Sequence, residues 1–347
     1  MANINARSPY IITIDELGQI ETKIELYLWN GTGPAPLVST YTLSKLIPSS
    51  NNTATYYDIS PYIREFINHN ELQTQPNTIS NTPIAQSCRV LVKKFKKTSI
   101  SFAQFGTNLV AHAFNGFGYY DQGYNLASND ILLPEGNYYY NQTSNVGWVT
   151  VYTDIVTQAR WTNLDTAAVQ VSTMSPSAMR DVSKVYGGWA SAGNKLELLD
   201  ATNVVEWTAY FYPKEECKYV PVQIDFVNKF GGWQREWFYK ASFDTLNVQN
   251  NDYNLMPSTY PDYDTMEGQR RVFNANGKHS IKVNSDWVEE SFKETIQQLM
   301  LSERILVNEK PAKLNTKTID LQKQLNTRLI NYQLDFDFAF DVINNIV

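Results

Sequence analysis

The sequence predicts a mainly β protein. It reads as two β-sandwich-like domains, the C-terminal one with a single long helix packed on its sheet. Three observations predict this. The closing stretch NYQLDFDFAFDVINNIV alternates, with Ile330, Tyr332, Leu334, Phe336, Phe338 and Phe340 set against Asn331, Gln333, Asp335, Asp337, Ala339 and Asp341. Successive strand side chains point to opposite faces, so this stretch has one apolar and one acidic face, in a register that a one-residue slip would invert. Composition agrees: of 347 residues, 13% are aromatic, with 22 Tyr and 8 Trp, and only 18% are charged. About a quarter is usual for charge, and aromatic side chains suit pleated sheets and protein interfaces. Finally, Gly- and Pro-bearing breaks such as GTGPAP separate short alternating runs.

The elements follow in order. PYIITI reads as a first strand. TKIELYLWN is the next, with Ile24, Leu26 and Leu28 on one face. STYTLSKLI is a third. In YDISPYIREFINHN, Ser60 can cap a helix, Pro61 suits its first position, and Tyr62, Ile63, Phe66 and Ile67 have helical spacing. CRVLVKKFKKTSISFAQF reads as strand, and Lys93, Lys94, Lys96 and Lys97 form the one basic cluster. That cluster suits either an acidic partner or an edge strand guarded by lysine. FNGFGYYDQGYN alternates Gly with aromatics but is followed by no phosphate-cradling helix. It is an aromatic contact loop closing a first domain over residues 1–125. The second domain, 126–347, holds the strands VGWVTVYTDIV and KLELLDATNVVEWTAYFYP. A hairpin follows in which Val220, Val222, Ile224 and Phe226 share a face and Gly231-Gly232 turns. Residues 243–279 are polar and Asn-rich, with two prolines, and read as a long excursion reaching a neighbour. A helix is predicted over 285–302, capped by Asn284 or Ser285, with Asp286, Glu289 and Glu290 in its first turns. Its packing stripe is Val288, Phe292, Ile296, Leu299 and Met300.

Chemistry is sparse. The net charge of −6 argues against direct nucleic-acid recognition, which needs clustered Lys and Arg. Cys88 and Cys217 fit no metal spacing or disulfide framework and read as reduced thiols. His69, His112 and His279 are scattered. Asp335-x-Asp337 can hold a metal, but any solvated strand face gives the same spacing. No hydrolase, zincin or nucleotide loop motif is present. The reading expects no enzyme activity, no cofactor and no metal. The N-terminus lacks the basic and apolar regions of a signal peptide, and no apolar run is long enough for a membrane helix.

Several phrases resemble structural virion proteins of tailed bacteriophages, especially those infecting Bacteroidota. They are QIDFVNKFGGWQREWFYKAS, NSDWVEESFKETIQQLMLSERILVN and INYQLDFDFAFDVINNIV, with NINARSPYIITI, KIELYLWNGT and YDISPYIREFI near the start. The resemblance is spread over both ends of the chain, about half its length, and residues 125–205 carry little of it. The resemblance implies a tail, neck or baseplate component made in the host cytoplasm. It implies partners among other virion proteins and further copies of the chain. The order of C-terminal elements is similar to tail-tube-type modules. The resemblance supplies no catalytic residue. On this reading the candidate assembly contacts are Phe117, Tyr119, Tyr120 and Tyr124 in the aromatic loop, and Tyr253, Tyr260 and Tyr263 in the excursion. A capsid-associated or fibre-base protein, a carbohydrate-binding adhesin and a glycosidase with paired carboxylates in a cleft remain as alternatives.

Overall fold

The computed structural model describes residues 2–30, 33–47, 54–67, 87–116, 136–139, 150–151, 157–173, 180–181, 191–214, 218–228, 233–256, 266, 268–320 and 329–343. The chain is mainly β and forms two compact units, one of residues 1–215 with 227–235, the other of 216–226 with 236–347.

The first unit begins with β1 (Ala2–Asn5), β2 (Ile11–Ile14), β3 (Glu21–Trp29), β4 (Tyr41–Leu46), β5 (Thr55–Asp58), α1 (Ser60–Phe66), β6 (Ser87–Lys97) and β7 (Phe102–Phe114). Their main sheet has the order β1-β7-β6-β3-β4, and β2 pairs with β5 separately. Ile24, Leu26 and Leu28 of β3 are buried with Val90, Val92, Ala111 and Ala113. Ile59, Ile63 and Ile67 bring α1 into the same core. Ser60 does not cap that helix. Its hydroxyl donates to the Ser8 carbonyl at 2.6 Å and accepts from the Tyr10 amide at 2.7 Å, which ties the helix start to the chain before β2.

β6 is an interior strand, between β7 and β3, so its lysines guard no edge. Their charges are answered within the same unit. Lys97 meets Glu21 at 3.1 Å and Lys96 meets Glu16 at 2.7 Å. Lys93 lies 4.6 Å from the Tyr27 ring centroid, and Lys94 lies 5.7 Å from that of Phe105.

The rest of this unit has β8 (Gly136–Tyr139), β9 (Thr150–Val151), β10 (Gln158–Asn163), β11 (Val169–Thr173), β12 (Arg180–Asp181), β13 (Asn194–Leu199) and β14 (Val205–Lys214). A five-stranded sheet runs β11-β10-β13-β14-β8. Ala159, Trp161, Leu196 and Leu198 are buried on one of its faces.

The second unit is built on an eight-stranded sheet. Its strands are β15 (Val222–Val227), β16 (Trp233–Phe238), β17 (Phe243–Asn254), β18 (Arg270–Glu289), β19 (Ile305–Val307), β20 (Lys310–Leu314), β21 (Leu329–Phe338) and β22 (Val342–Ile343). The order is β16-β15-β19-β20-β21-β18-β17, with β22 beside β18. Val222, Ile224 and Phe226 are buried, but Val220 is exposed ahead of the strand. Asn308 and Glu309 turn β19 into β20 with φ of 46° and 66°, the double left-handed geometry that tight hairpins favour.

β21 carries the alternation the sequence shows. Ile330, Tyr332, Leu334 and Phe336 are buried. Phe340 falls past the strand's end and is 76% exposed, so it covers no core. The acidic face meets basic neighbours: Asp335 stands opposite Lys282 of β18, and Asp337 opposite Lys313 of β20.

The helix is shorter than the sequence predicts. A single 3₁₀ turn, Glu290–Phe292, leads into α2 (Lys293–Met300). Residues 285–289 belong to β18. The Asn284-Ser285-Asp286 run does form local hydrogen bonds, but it builds a bulge. Asp286 has φ of 67°, its amide donates to Asn284 Oδ1 at 2.9 Å, and Ser285 Oγ accepts from the Tyr332 amide at 2.8 Å. Ile296 and Leu299 of α2 are fully buried on the sheet, with Phe292 and Met300 packed against the same core. Each buried aliphatic side chain contributes about 1.5–3 kcal/mol.

Candidate interaction surface

Residues 243–279 are mostly strand. β17 and the first half of β18 form a long antiparallel ribbon from Phe243 opposite Lys282 to Asn254 opposite Arg270. Asn, Gln and Asp fill most of its positions, so the alternation lacks the apolar contrast that marks a strand in sequence. Fourteen consecutive residues, 243–256, are all exposed, as are residues 268–273 on the returning strand. A strand exposed on both faces is unusual, because strand stability rests on packing against neighbours.

The ribbon's two faces differ. Asp244, Leu246 and Val248 stand opposite Ile281, His279 and Gly277, and Ile281 belongs to the core. This face therefore continues the core-bearing face of the sheet. Leu246 and Val248 remain 54% and 55% exposed on it. A Cβ at Gly277 would lie 3.0 Å from Leu246 Cδ1 and 3.3 Å from the Val342 carbonyl oxygen, so glycine lets Leu246 and β22 close over β18. Next to it, His279 stacks on Phe338, with centroids 4.7 Å apart, and its Nε2 lies 3.5 Å from Asp244 Oδ1. The other face carries Thr245, Asn247 and Gln249 opposite Ser280, Lys278 and Asn276, a polar ladder. Beyond a bulge between Asn251 and Asp252, Tyr253 and Phe273 meet edge to face at 6.5 Å. Phe273 is 70% exposed.

β17 ends the sheet order. Among the described residues its outer row of backbone N–H and C=O groups meets no strand. Natural sheets blunt such edges with charged side chains, especially lysine, and with proline, bulges or shortness. β17 has twelve residues, with no lysine and no proline, and its two charges are Asp244 and Asp252.

Of the expected contact residues, Tyr253 lies on this ribbon. Phe117, Tyr119, Tyr120, Tyr124, Tyr260 and Tyr263 lie outside the described residues, as do His69 and Cys217. Sequence reasoning missed Phe243, Leu246, Val248 and Phe273. The i, i+2 pair Leu246 and Val248 was the available signal. Among the described residues no three His, Cys, Asp or Glu side chains are placed to hold a metal, and no helix is long and apolar enough to cross a membrane. Burial pushes the Cys88 thiol up to about 12, which leaves it inert at neutral pH.

A second surface lies on the β10–β13–β14 sheet. Glu197 accepts from Arg160 at 2.8 Å and lies 2.9 Å from Lys195. Burial raises the Glu197 pKa, but the bonds from Arg160 and Lys195 outweigh it and hold the carboxyl below its usual range. Tyr210 stands opposite Lys195, on the same face, and its ring is parallel to Tyr212 within 7° at 6.1 Å. Both tyrosines are exposed.

No family model matches this chain, and neither a curated protein nor a solved structure matches it.

Proposed function

We propose that this chain is a non-enzymatic structural protein of a tailed-phage particle, one that assembles into an oligomer in the tail, neck or baseplate. The observation that carries the reading is the β17–β18 ribbon, with fourteen consecutive residues exposed and a long edge that meets no strand among the described residues. In a chain that stays alone such a ribbon is an aggregation hazard; in one that assembles it is a contact surface. About twenty exposed ribbon residues match the 20–30 per side of a standard interface. The virion setting rests on the resemblance of the two ends of the chain. The finer architecture belongs to the same proposal: two sandwich-like domains, the second tail-tube-like. A capsid-associated or fibre-base position would use the same ribbon.

The test is the mass of the full chain in solution, by light scattering on a sizing column. A defined multiple of the chain mass supports assembly. A strict monomer at high concentration shifts the reading to carbohydrate binding. Tyr210 and Tyr212 favour that second reading. Exposed tyrosine rings beside an Arg–Glu–Lys network suit the C–H faces and hydroxyls of a sugar, and a glycan array would test it.

A further inference from the structure

The edge of β17 that meets no strand among the described residues is self-complementary in one register. The bulge between Asn251 and Asp252 divides the strand, and residues 243–251 pair with β18 without interruption. Asn247 is the midpoint of that regular stretch. An antiparallel partner related by a two-fold axis perpendicular to the sheet brings like faces together, so each residue meets one of the same parity. Five registers keep more than half of the stretch paired, and centring on Thr245 sets Asp244 against Leu246. Centring on Val248 sets Asp244 against Asp252 twice, a like-charge clash. Centring on Gln249 sets Leu246 against Asp252, and centring on Leu246 sets Val248 against Asp244. Centring on Asn247 sets Leu246 against Val248 twice, Thr245 against Gln249 twice and Asp244 against Asn250 twice. Only this last register joins the exposed apolar residues of the core-bearing face and opposes no carboxylate to an apolar residue or to another carboxylate.

We infer that a second copy of this chain adds its β17 antiparallel to this edge, with the two-fold axis at Asn247. The inference rests on the assembly reading above and gives it a register. Leu246 and Val248 of both copies then form one apolar row beside Gly277 and Val342. The polar row of Thr245, Asn247 and Gln249 lines the opposite face.

The test is disulfide trapping in the full chain. Asn247→Cys places two thiols across the axis, where paired strands hold Cα atoms about 4.5–5.5 Å apart, within disulfide reach. Asn251→Cys is the control, because its symmetry mate lies eight positions away along the strand, roughly 26 Å. Both positions are exposed, so neither change disturbs packing. With diamide, Asn247→Cys should give a reducible dimer on a non-reducing gel, and Asn251→Cys should run as the parent chain. Combining Phe243→Cys with Asn251→Cys should restore the crosslink. An oligomer by light scattering without an Asn247→Cys crosslink, or equal crosslinking by both single variants, overturns the register and leaves assembly standing. A strict monomer with no crosslink overturns both.

Discussion

β18 belongs to two environments. In its second half, Ile281 and Val283 pair with β21 and are buried in the core that also takes in α2. In its first half, residues 270–273 are exposed together with all of β17 opposite. One continuous strand therefore has a part held by burial and a part held by ladder hydrogen bonds and cross-strand pairs. Burial fixes the first part whatever surrounds the molecule. The second part has strand geometry without a core, and cross-strand pairs and ladder hydrogen bonds alone hold it in the single chain.

Mutations should separate the two parts, and the core should respond most. Phe336→Asp buries an unpaired charge at a position with no exposure and should cost more than about 4 kcal/mol. Urea unfolding followed by circular dichroism would show it, and an unchanged midpoint would refute the core assignment. Leu334→Ala should cost about 3 kcal/mol by cavity formation in the same assay. Ser285→Ala removes the acceptor of the buried Tyr332 amide and should cost about 1–2 kcal/mol. If it costs nothing, the bulge does not depend on that bond.

Glu197→Gln probes the first unit and should act only above acid pH. The folded carboxyl titrates below its ordinary value of 4.5. Its contribution is thus present above that value and lost as pH falls through the lower folded one. The gap between parent and variant in thermal melts should close on acidification. A gap that widened in acid would reverse the sign. Leu246→Lys on the ribbon should change the stability of the single chain least, within about 0.5 kcal/mol. It should nonetheless reduce the oligomer seen by light scattering. If Leu246→Lys unfolds the chain instead, the ribbon is part of the core.

What the sequence revealed follows from the same division. Ile24, Leu26 and Leu28, and the run from Ile330 to Phe336, were legible because burial writes a period of two in apolar residues. The ribbon was hidden because Asn, Gln and Asp occupy both phases of its alternation. The start of α2 was misplaced because Asn284, Ser285 and Asp286 are good capping residues, and the same side-chain bonds build a bulge. The lysines of β6 could not reveal that the strand is interior, since Glu16 and Glu21 reach them only through the fold. The lysines opposite Asp335 and Asp337 were equally invisible, because only strand order sets Lys282 and Lys313 there.

The twenty-residue length of β18 has a mechanical consequence. At about 3.3 Å per residue the strand extends at most roughly 65 Å, running through two bulges from the ribbon to the turn before α2. A pull on the ribbon along its axis travels down this single backbone into the core-bearing part of the sheet, beside β21. There the rungs to β21 lie across the direction of the force, so they bear the load together in shear and are not opened one at a time.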